Sequence, residues 1–380
     1  MLRTLSTLAL LAVAVPAAAE EVVVRAAKVY TAAGDPLAPG AVRIKDGKIA
    51  EVAKEIAAPA GAKVIDLGQG CLIPGLIDAH STAGLTDDAE FTEEITPNFR
   101  VLDAVDWKAR AFKVSLADGA TTYGLVPGTD NVIGGLGSVV KPSAAPANRV
   151  VKKDHTLAIV VASDPASRNS SRNRPDSIYV RQPTNRMGVV WMLRNDFLRA
   201  KSASESDVVR QSLDGKRPIV CVSRIDSDIL SALRLQKDYG YPLVLAGGQE
   251  AYKVTGEIAA AKVPVLLGPL PMALSFNGPE GSDPIWNQPA ILKKAGIPFA
   301  FTGGNLLTQA RFAVRFGLSP TDALAAVTAS PAKILGVENR IGSIAPGRDA
   351  DLVALSADPF DLTAAVLWTM TDGATRFEGR

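Results

Sequence analysis

Histidine is scarce in this sequence: only two of its 380 residues are histidines. A site built on three or more imidazole ligands is therefore excluded by counting. An excess of one charge is also lacking, because 41 Lys and Arg against 39 Asp and Glu leave a formal net charge of +2. Since nucleic acids are bound through clustered basic charge, no nucleic-acid partner is expected. With 47% hydrophobic and 21% charged residues, the chain is a globular protein of one large domain with an appendage, or of two domains.

The first 19 residues have the features of an export signal. Arg3 precedes an apolar run at 5–15 that is too short to cross a bilayer comfortably, and small residues at 16–19 suit cleavage after Ala19. An uncleaved anchor is the alternative. No later run resembles a membrane span. We therefore expect an exported protein, periplasmic or extracellular, with no membrane span once the signal is removed.

Cysteine is scarce too, with Cys71 and Cys221 only. Export would permit a disulfide between them. Both cysteines lie in apolar surroundings, where an unpaired cysteine behaves as a small hydrophobic residue. The sequence does not place their Cα atoms within bonding distance, so their pairing stays open.

Between residues 71 and 336, short apolar runs alternate with segments of helical periodicity. Several runs are continuously apolar, which is typical of strands buried on both faces. Eight such strands predict a (β/α)₈ TIM-like barrel. An open, doubly wound sheet is the alternative, because periodicity does not show closure. The predicted strands are 76–80, 121–126, 138–141, 157–162, 218–223, 242–246, 264–267 and 297–302.

Both ends of the mature chain have patterns of short β-strands. Near the start, Asp46 and Gly47 form a pair typical of a two-residue hairpin turn, because both tolerate positive φ. Near the end, short strands follow a helix at 320–327 that Ser319 would cap. We expect residues 20–70 and 337–380 to build one small β-sandwich domain beside the barrel at 71–336, since domain termini often lie close together.

Several segments, taken in order, resemble the amidohydrolase superfamily, most closely its imidazolonepropionase-like branch. They are IDLG at 65–68, LIPGLIDAH at 72–80, GATT at 119–122, NVIGG at 131–135 continuing to Lys141, the stretch 328–336, and GSIAPGRDADLV at 342–353. The resemblance spans nearly all of the mature chain. It implies a barrel fold and hydrolysis of carbon–nitrogen bonds, although fold alone does not settle chemistry.

The resemblance also implies one or two divalent metals at the carboxyl-terminal mouth of the barrel. The metal would lower the pKa of a bound water to roughly 7 and polarise the scissile carbonyl. In the family pattern the ligands are a His-x-His pair on strand 1, a lysine or equivalent in mid-barrel, a histidine after each of strands 5 and 6, and an aspartate after strand 8.

This sequence departs from that pattern at most positions. His80 is retained, but the other positions hold Thr82, Ser223, Gly247 and Gly303. A glycine has no side chain with which to bind a metal, and zinc requires imidazole, carboxylate or thiolate ligands. We therefore expect the metal site to be lost and no cofactor to bind, although the family would imply zinc or another divalent metal.

A few side chains remain as candidates for ligand binding at the mouth. Lys141 is the nearest substitute for the bridging group of the family, and guanidinium groups suit an anionic ligand. The second histidine, His155, follows a polar stretch and is expected on a surface loop. The ligand-binding candidates are His80, Lys141, Arg186, Ser223 and Arg224.

Three functions remain open. We favour a catalytically impaired barrel that binds a small molecule, with an anionic molecule as the hypothesis, or a partner protein. The second function is a hydrolase of carbon–nitrogen bonds with a rebuilt or metal-free site. The third is a structural subunit in a homo-oligomer or paired with an active homologue. Stoichiometric zinc, manganese or iron in the purified protein would favour the second, and co-purification with a homologous chain the third.

Overall fold

The computed structural model describes residues 21–90, 92–169, 182–270 and 283–379. The predicted export signal at 1–19 lies outside these residues. Within them, no helix combines the length and the apolar character that crossing a membrane requires.

Strands and helices alternate through the middle of the chain, whereas both ends are β-structure. The strands are β1 (Val22–Ala26), β2 (Lys28–Val29), β3 (Gly40–Lys45), β4 (Lys48–Ala53), β5 (Lys63–Asp66), β6 (Cys71–Pro74), β7 (Leu76–Ser81), β8 (Ala120–Leu125), β9 (Ile133–Val140), β10 (Val150–Val160), β11 (Ile219–Ser223), β12 (Leu243–Gly247), β13 (Val265–Leu267), β14 (Phe299–Phe301), β15 (Leu352–Leu355), β16 (Val366–Thr371) and β17 (Ala374–Glu378). The α-helices are α1 (Arg110–Ala117), α2 (Asp164–Asn169), α3 (Arg186–Lys201), α4 (Val208–Leu213), α5 (Asp226–Tyr239), α6 (Thr255–Ala261), α7 (Gln288–Lys294), α8 (Leu306–Arg315), α9 (Pro320–Ala325) and α10 (Ala329–Ile334).

An eight-stranded sheet runs in order from β7 to β14 and forms a nearly closed barrel. Where β14 approaches β7, the backbone at 326–327 bridges the gap. The nitrogen of Phe301 donates to the oxygen of Ala326 at 3.0 Å, and the nitrogen of Ile77 donates to the oxygen of Val327 at 2.9 Å. The prediction of a TIM-like barrel is confirmed.

One strand of the barrel runs against the others. β9 pairs antiparallel with both β8 and β10, whereas the remaining neighbours pair in parallel. The connections 126–132 and 141–149 are too short for the helical crossover that parallel neighbours require. The chain therefore turns back in hairpins on either side of β9.

The barrel interior is a packed apolar core. Branched and small side chains of the strands meet α10 and the residues that follow it, including Leu335 and Val337. This plug lies at the end where the parallel strands begin, because the backbone of Leu335 hydrogen-bonds His155, which precedes the part of β10 that pairs with β11. The opposite end, where the parallel strands finish, is the mouth, which is where barrel enzymes place their sites.

Both chain ends contribute to a pair of small sheets. One sheet has the order β4-β3-β1-β5, and the other has the order β17-β16-β15-β6-β2. They share an apolar core that includes Val24, Ile44, Leu72, Leu352 and Met370. Because β6 continues almost directly into β7, this core is joined to the first barrel strand.

Several local features match the sequence expectations. Asp46 and Gly47 have φ angles of 52° and 74° between β3 and β4, as a two-residue hairpin turn requires. The hydroxyl of Ser319 accepts a hydrogen bond from the nitrogen of Asp322 at 3.1 Å and caps α9. Helix α5 ends at Tyr239 and is capped by Gly240, whose φ of 80° is the left-handed conformation typical of a helix end.

Two other features could be settled only by the structure: the pairing of the cysteines and the position of His155. Cys71 and Cys221 are both buried and unpaired, on β6 and β11. His155 was expected on a surface loop, but it lies within β10 and is half-buried. The polar residues before His155 belong to the part of β10 that extends beyond the barrel. Their composition is typical of a loop, but their conformation is that of a strand.

Candidate functional site

An ion pair lies at the mouth beside the retained histidine. His80 is on β7, Arg224 directly follows β11, and Asp164 begins α2 after β10. The Arg224 guanidinium binds the Asp164 carboxylate through both terminal nitrogens, with Nη2 at 2.8 Å from Oδ1. The hydroxyl of Thr129 donates to the same Oδ1 at 2.8 Å. Burial, and then the nearby charge of Arg224, lower the pKa of His80 to about 4, so its imidazole is neutral at pH 7.

A buried carboxylate supports the mouth from below. Asp78 accepts hydrogen bonds from the backbone nitrogen of Gly303 at 3.2 Å, of Gly304 at 3.1 Å and of His80 at 3.4 Å. Burial raises the pKa of Asp78 to about 6, against the opposing effect of these N–H groups. Asp78 therefore fixes the loop after β14 to β7. Asp78 was not among the predicted site residues, although an aspartate within an apolar strand and two residues before His80 is a recognisable signal in the sequence.

Two of the positions at which the family pattern has metal ligands carry hydroxyl side chains in this chain. Thr82 lies in the loop after β7 and is half-buried. Ser223 is fully buried, and its hydroxyl donates to the oxygen of Cys221 on its own strand at 3.4 Å. Neither is an imidazole, carboxylate or thiolate ligand.

The two glycine positions have backbone conformations in which any larger side chain is strained. Gly247 and Gly303 have φ angles of 93° and 86°. A Cβ on Gly303 would lie 2.8 Å from Cδ of Pro269, and one on Gly247 would lie 3.2 Å from Cγ of Arg224. The five histidine and aspartate positions of the family pattern, all within the described residues, thus present a single imidazole, and this set does not fit a transition metal at the mouth.

Arg186 lies close to Arg224, on the helices that surround the barrel. It begins α3, and its Nε is 3.0 Å from Oδ1 of Asp228, a buried residue near the start of α5. Asp228 Oδ2 in turn accepts from the backbone nitrogen of Arg224 at 3.4 Å. The structure therefore brings Arg186, Arg224 and His80 to one end of the barrel, and both arginines are already paired with carboxylates.

Lys141 is not part of that group. It follows the reversed strand β9, which places it at the end where the parallel strands begin. Its ammonium is fully buried, at 2.9 Å from Oδ2 of Asp349 and 3.1 Å from Oδ2 of Asp351, and it also contacts Asp372. The expectation that Lys141 lies beside His80 at the mouth is wrong, because β9 runs antiparallel to its neighbours and ends at the opposite side of the barrel. The apolar run in the sequence does not show the direction of the strand.

Two further cations reach this buried group. Lys48 Nζ lies 2.8 Å from Oδ1 of Asp349, and Arg340 Nη2 lies 2.8 Å from its Oδ2. These partners outweigh burial and lower the pKa of Asp349 to about 2. Burial opposes the charge of Lys141, but the neighbouring carboxylates, Asp351 first, outweigh it and raise the pKa of Lys141. For Asp351 burial is the stronger effect, and it raises the pKa of that carboxyl.

The expectation that no cofactor binds is wrong. Asp349, Asp351 and Asp372 each offer a carboxylate oxygen within 4.8 Å of the others, so this group could hold a metal ion. Oxygen donors of this kind suit hard cations such as Mg²⁺, Ca²⁺ or Mn²⁺. The Lys141 ammonium lies among the same oxygens, so a metal ion would compete with it. Asp349 and Asp351 lie within the segment 342–353 that carries the family resemblance, but only the folded chain brings Asp372 and Lys141 beside them.

Comparison with known proteins agrees with the fold. The chain is 32% identical to an amidohydrolase from Thermotoga maritima MSB8, with a TM-score of 0.86 over 94% of this chain and 100% of that one. The chain belongs to the amidohydrolase family. A model of the amidohydrolase family also matches residues 287–375.

Two other matches are more distant. Amidohydrolase tasK of Hapsidospora irregularis is 23% identical over 403 residues, which cover 89% of this chain and 40% of that protein. The chain thus spans about 40% of the length of this curated relative. An adenosine deaminase from Xanthomonas campestris, solved with bound zinc, shares the fold at 14% identity and a TM-score of 0.53, over 94% of this chain and 92% of that one.

Proposed function

We propose that this amidohydrolase-family protein binds a small carboxylate-bearing molecule at the mouth of the barrel, and that its hydrolytic activity is impaired. The observation that carries the proposal is the replacement of ligand side chains at Thr82, Ser223, Gly247 and Gly303 in an otherwise intact barrel. Without metal ligands at these positions, the mouth lacks the residues that would hold a metal ion to activate water for hydrolysis.

Arg224 is the residue that we propose to contact the ligand. Its side chain is 15% exposed, and Asp164 holds its guanidinium in a fixed orientation. A guanidinium has five N–H donors, so one group can bind Asp164 and a ligand carboxylate at the same time. His80 adds a neutral imidazole nearby, which can donate or accept one hydrogen bond.

Matched probes test the ligand class. N-acyl amino acids carry an amide and a carboxylate, and their carboxamides lack only the charge. We expect N-acyl amino acids to raise the melting temperature more than the carboxamides do, and Arg224→Ala to abolish the difference. Arg199→Ala is the control, because Arg199 is paired with Asp196 and Asp207 on an exposed helix face. A panel in which no probe binds, or binding that Arg224→Ala leaves intact, contradicts the proposal.

A second arm measures hydrolysis of the same amides, with and without added Zn²⁺ or Mn²⁺. We expect turnover far below that of a metal-dependent amidohydrolase under the same conditions. Multiple turnovers that require bound metal would favour the alternative, a hydrolase of carbon–nitrogen bonds with a rebuilt site. Loss of that metal in Asp351→Asn would locate it at the buried carboxylates rather than at the mouth.

We also propose that the protein is exported. The support is the pattern at 1–19, with Arg3, the apolar run and the small residues before Glu20. Amino-terminal sequencing of the protein recovered from the periplasm or medium should start at Glu20. A cytoplasmic protein with an intact start would contradict export.

A further inference from the structure

Helix α3 has two apolar faces, of which one is buried. Val189, Leu193 and Phe197 pack into the protein. On another face Met187 is 79% exposed, and Trp191 and Leu198 are each 57% exposed. The helix is fixed at its start by the side chain of Asn185, which accepts from the nitrogen of Gly188 at 2.9 Å.

The exposed side chains form one stripe. Met187, Trp191, Arg194 and Leu198 follow one another at intervals of four, three and four residues, which keeps them on one side of a helix. Singly scattered exposed apolar residues are ordinary on a protein surface, whereas contiguous apolar patches mark interaction sites. We call these four residues the α3 stripe.

A groove beside the α3 stripe adds room for a partner. It has a volume of about 500 Å³ and lies between α3 and α5. Trp191 and Met187 line one wall, and Ser227 and Ser231 line the other. Because serine side chains are small, a large side chain from another helix can enter beside them.

We propose that the α3 stripe packs antiparallel against the α3 stripe of a second copy of this chain. In that register Met187 faces the second copy's Leu198, and Trp191 faces its Arg194, so the same two contacts occur twice about a two-fold axis. Such self-complementarity is what a two-fold interface requires. The guanidinium of Arg194 would lie over an indole ring, which is a favourable cation–π contact.

Charge decides between the two directions of packing. A parallel arrangement would place Arg194 against Arg194, and two like charges at one level repel. The antiparallel arrangement separates the two arginines and gives each an aromatic neighbour. Arg194 can keep its ion pair with Asp238, at 3.2 Å, because the ring contacts the face of the guanidinium and not its edge.

The first test is the oligomeric state of the purified protein, measured by sedimentation over a range of concentrations. We expect a dimer that dissociates on dilution, and Trp191→Glu should weaken it by about tenfold or more. Leu362→Glu is the matched control, because Leu362 is 83% exposed and lies outside α3. A monomer at every concentration, or a dimer that Trp191→Glu leaves unchanged, overturns the proposal.

The second test fixes the register by cysteine cross-linking. The double variant Met187→Cys, Leu198→Cys should form an intermolecular disulfide under oxidation. Either single variant should not, because identical positions would lie about 16 Å apart along the axis. The native Cys71 and Cys221 are buried and do not compete. Efficient cross-linking of Met187→Cys alone, or only to a different protein, overturns the proposal.

Discussion

Oδ2 of Asp78 lies 3.2 Å from the backbone nitrogen of Gly303, the position at which the family pattern places its catalytic aspartate. A main-chain N–H at the end of β14 thus binds a side chain from β7. This contact joins the first and last strands of the barrel near the place where their direct pairing is interrupted.

Restoring the family's aspartate at Gly303 should destabilise the protein. In Gly303→Asp the new Cβ would lie 2.8 Å from Cδ of Pro269 at a φ of 86°, so the loop must move and its bond to Asp78 weakens. We expect a loss of about 2–4 kcal/mol in the free energy of unfolding, measured by urea denaturation. Gly304→Ala is the control, because its φ is also positive at 78° but its Cβ would meet no atom within 4 Å. Equal losses in the two variants would contradict the role of the clash.

Asp78 should make the protein less stable as pH rises. Its pKa is about 6 in the folded state and about 4 when unfolded, so the folded state binds the proton more tightly. Asp78 ionisation leaves the free energy of unfolding unchanged well below pH 4 and lowers it as pH rises from 4 through 6. Between pH 4 and 7 we expect wild type to lose about 2 kcal/mol relative to Asp78→Asn. Denaturation of both proteins at the two pH values measures this, and parallel curves would contradict it.

Neither histidine should titrate near pH 6.5. Burial, followed by a neighbouring cation, lowers the pKa of both His80 and His155 to about 4. Because the chain has two histidines, their NMR ring signals are readily assigned with His80→Gln. We expect midpoints near 4 for both ring signals. A midpoint near 6.5 for the signal lost in His80→Gln would show that its imidazole is solvated.

Removal of the Lys141 ammonium should be costly. In Lys141→Ala, Asp349, Asp351 and Asp372 would keep their charges without the cation among them, and we expect a loss of about 3–5 kcal/mol in the free energy of unfolding. Added Ca²⁺ or Mn²⁺ should raise the melting temperature of this variant, because the vacated oxygens can bind a cation. Lys48→Ala serves as control, since Lys48 is largely exposed on the same Asp349 and should cost under about 1 kcal/mol. A Lys141→Ala variant as stable as wild type would contradict the role of the ammonium.

The fold could be predicted from local patterns, because strand positions follow from apolar runs. Each of the eight predicted barrel strands overlaps an observed one, and the hairpin at Asp46 and the cap at Ser319 follow from the chemistry of those residues. The direction of β9 could not be predicted in the same way. A continuous apolar run has the same appearance in a parallel and an antiparallel strand.

The site was harder to predict, because its contacts join distant segments. Lys141 is 208 residues from Asp349, so no spacing rule links the two. The ion pair of Arg224 with Asp164 likewise depends on two neighbouring strands that end at one level. His80 and Asp78 could be found from their motif, whereas the ion pair beside them required the three-dimensional arrangement.

The Lys141 ion cluster has a consequence for dissecting this protein. The ammonium comes from the barrel, whereas the three carboxylates belong to the last 32 residues of the chain. A truncation before those residues would strand a positive charge in an apolar interior and open the core of the small sheets. The barrel is therefore not a separable folding unit, and the two architectures should unfold together.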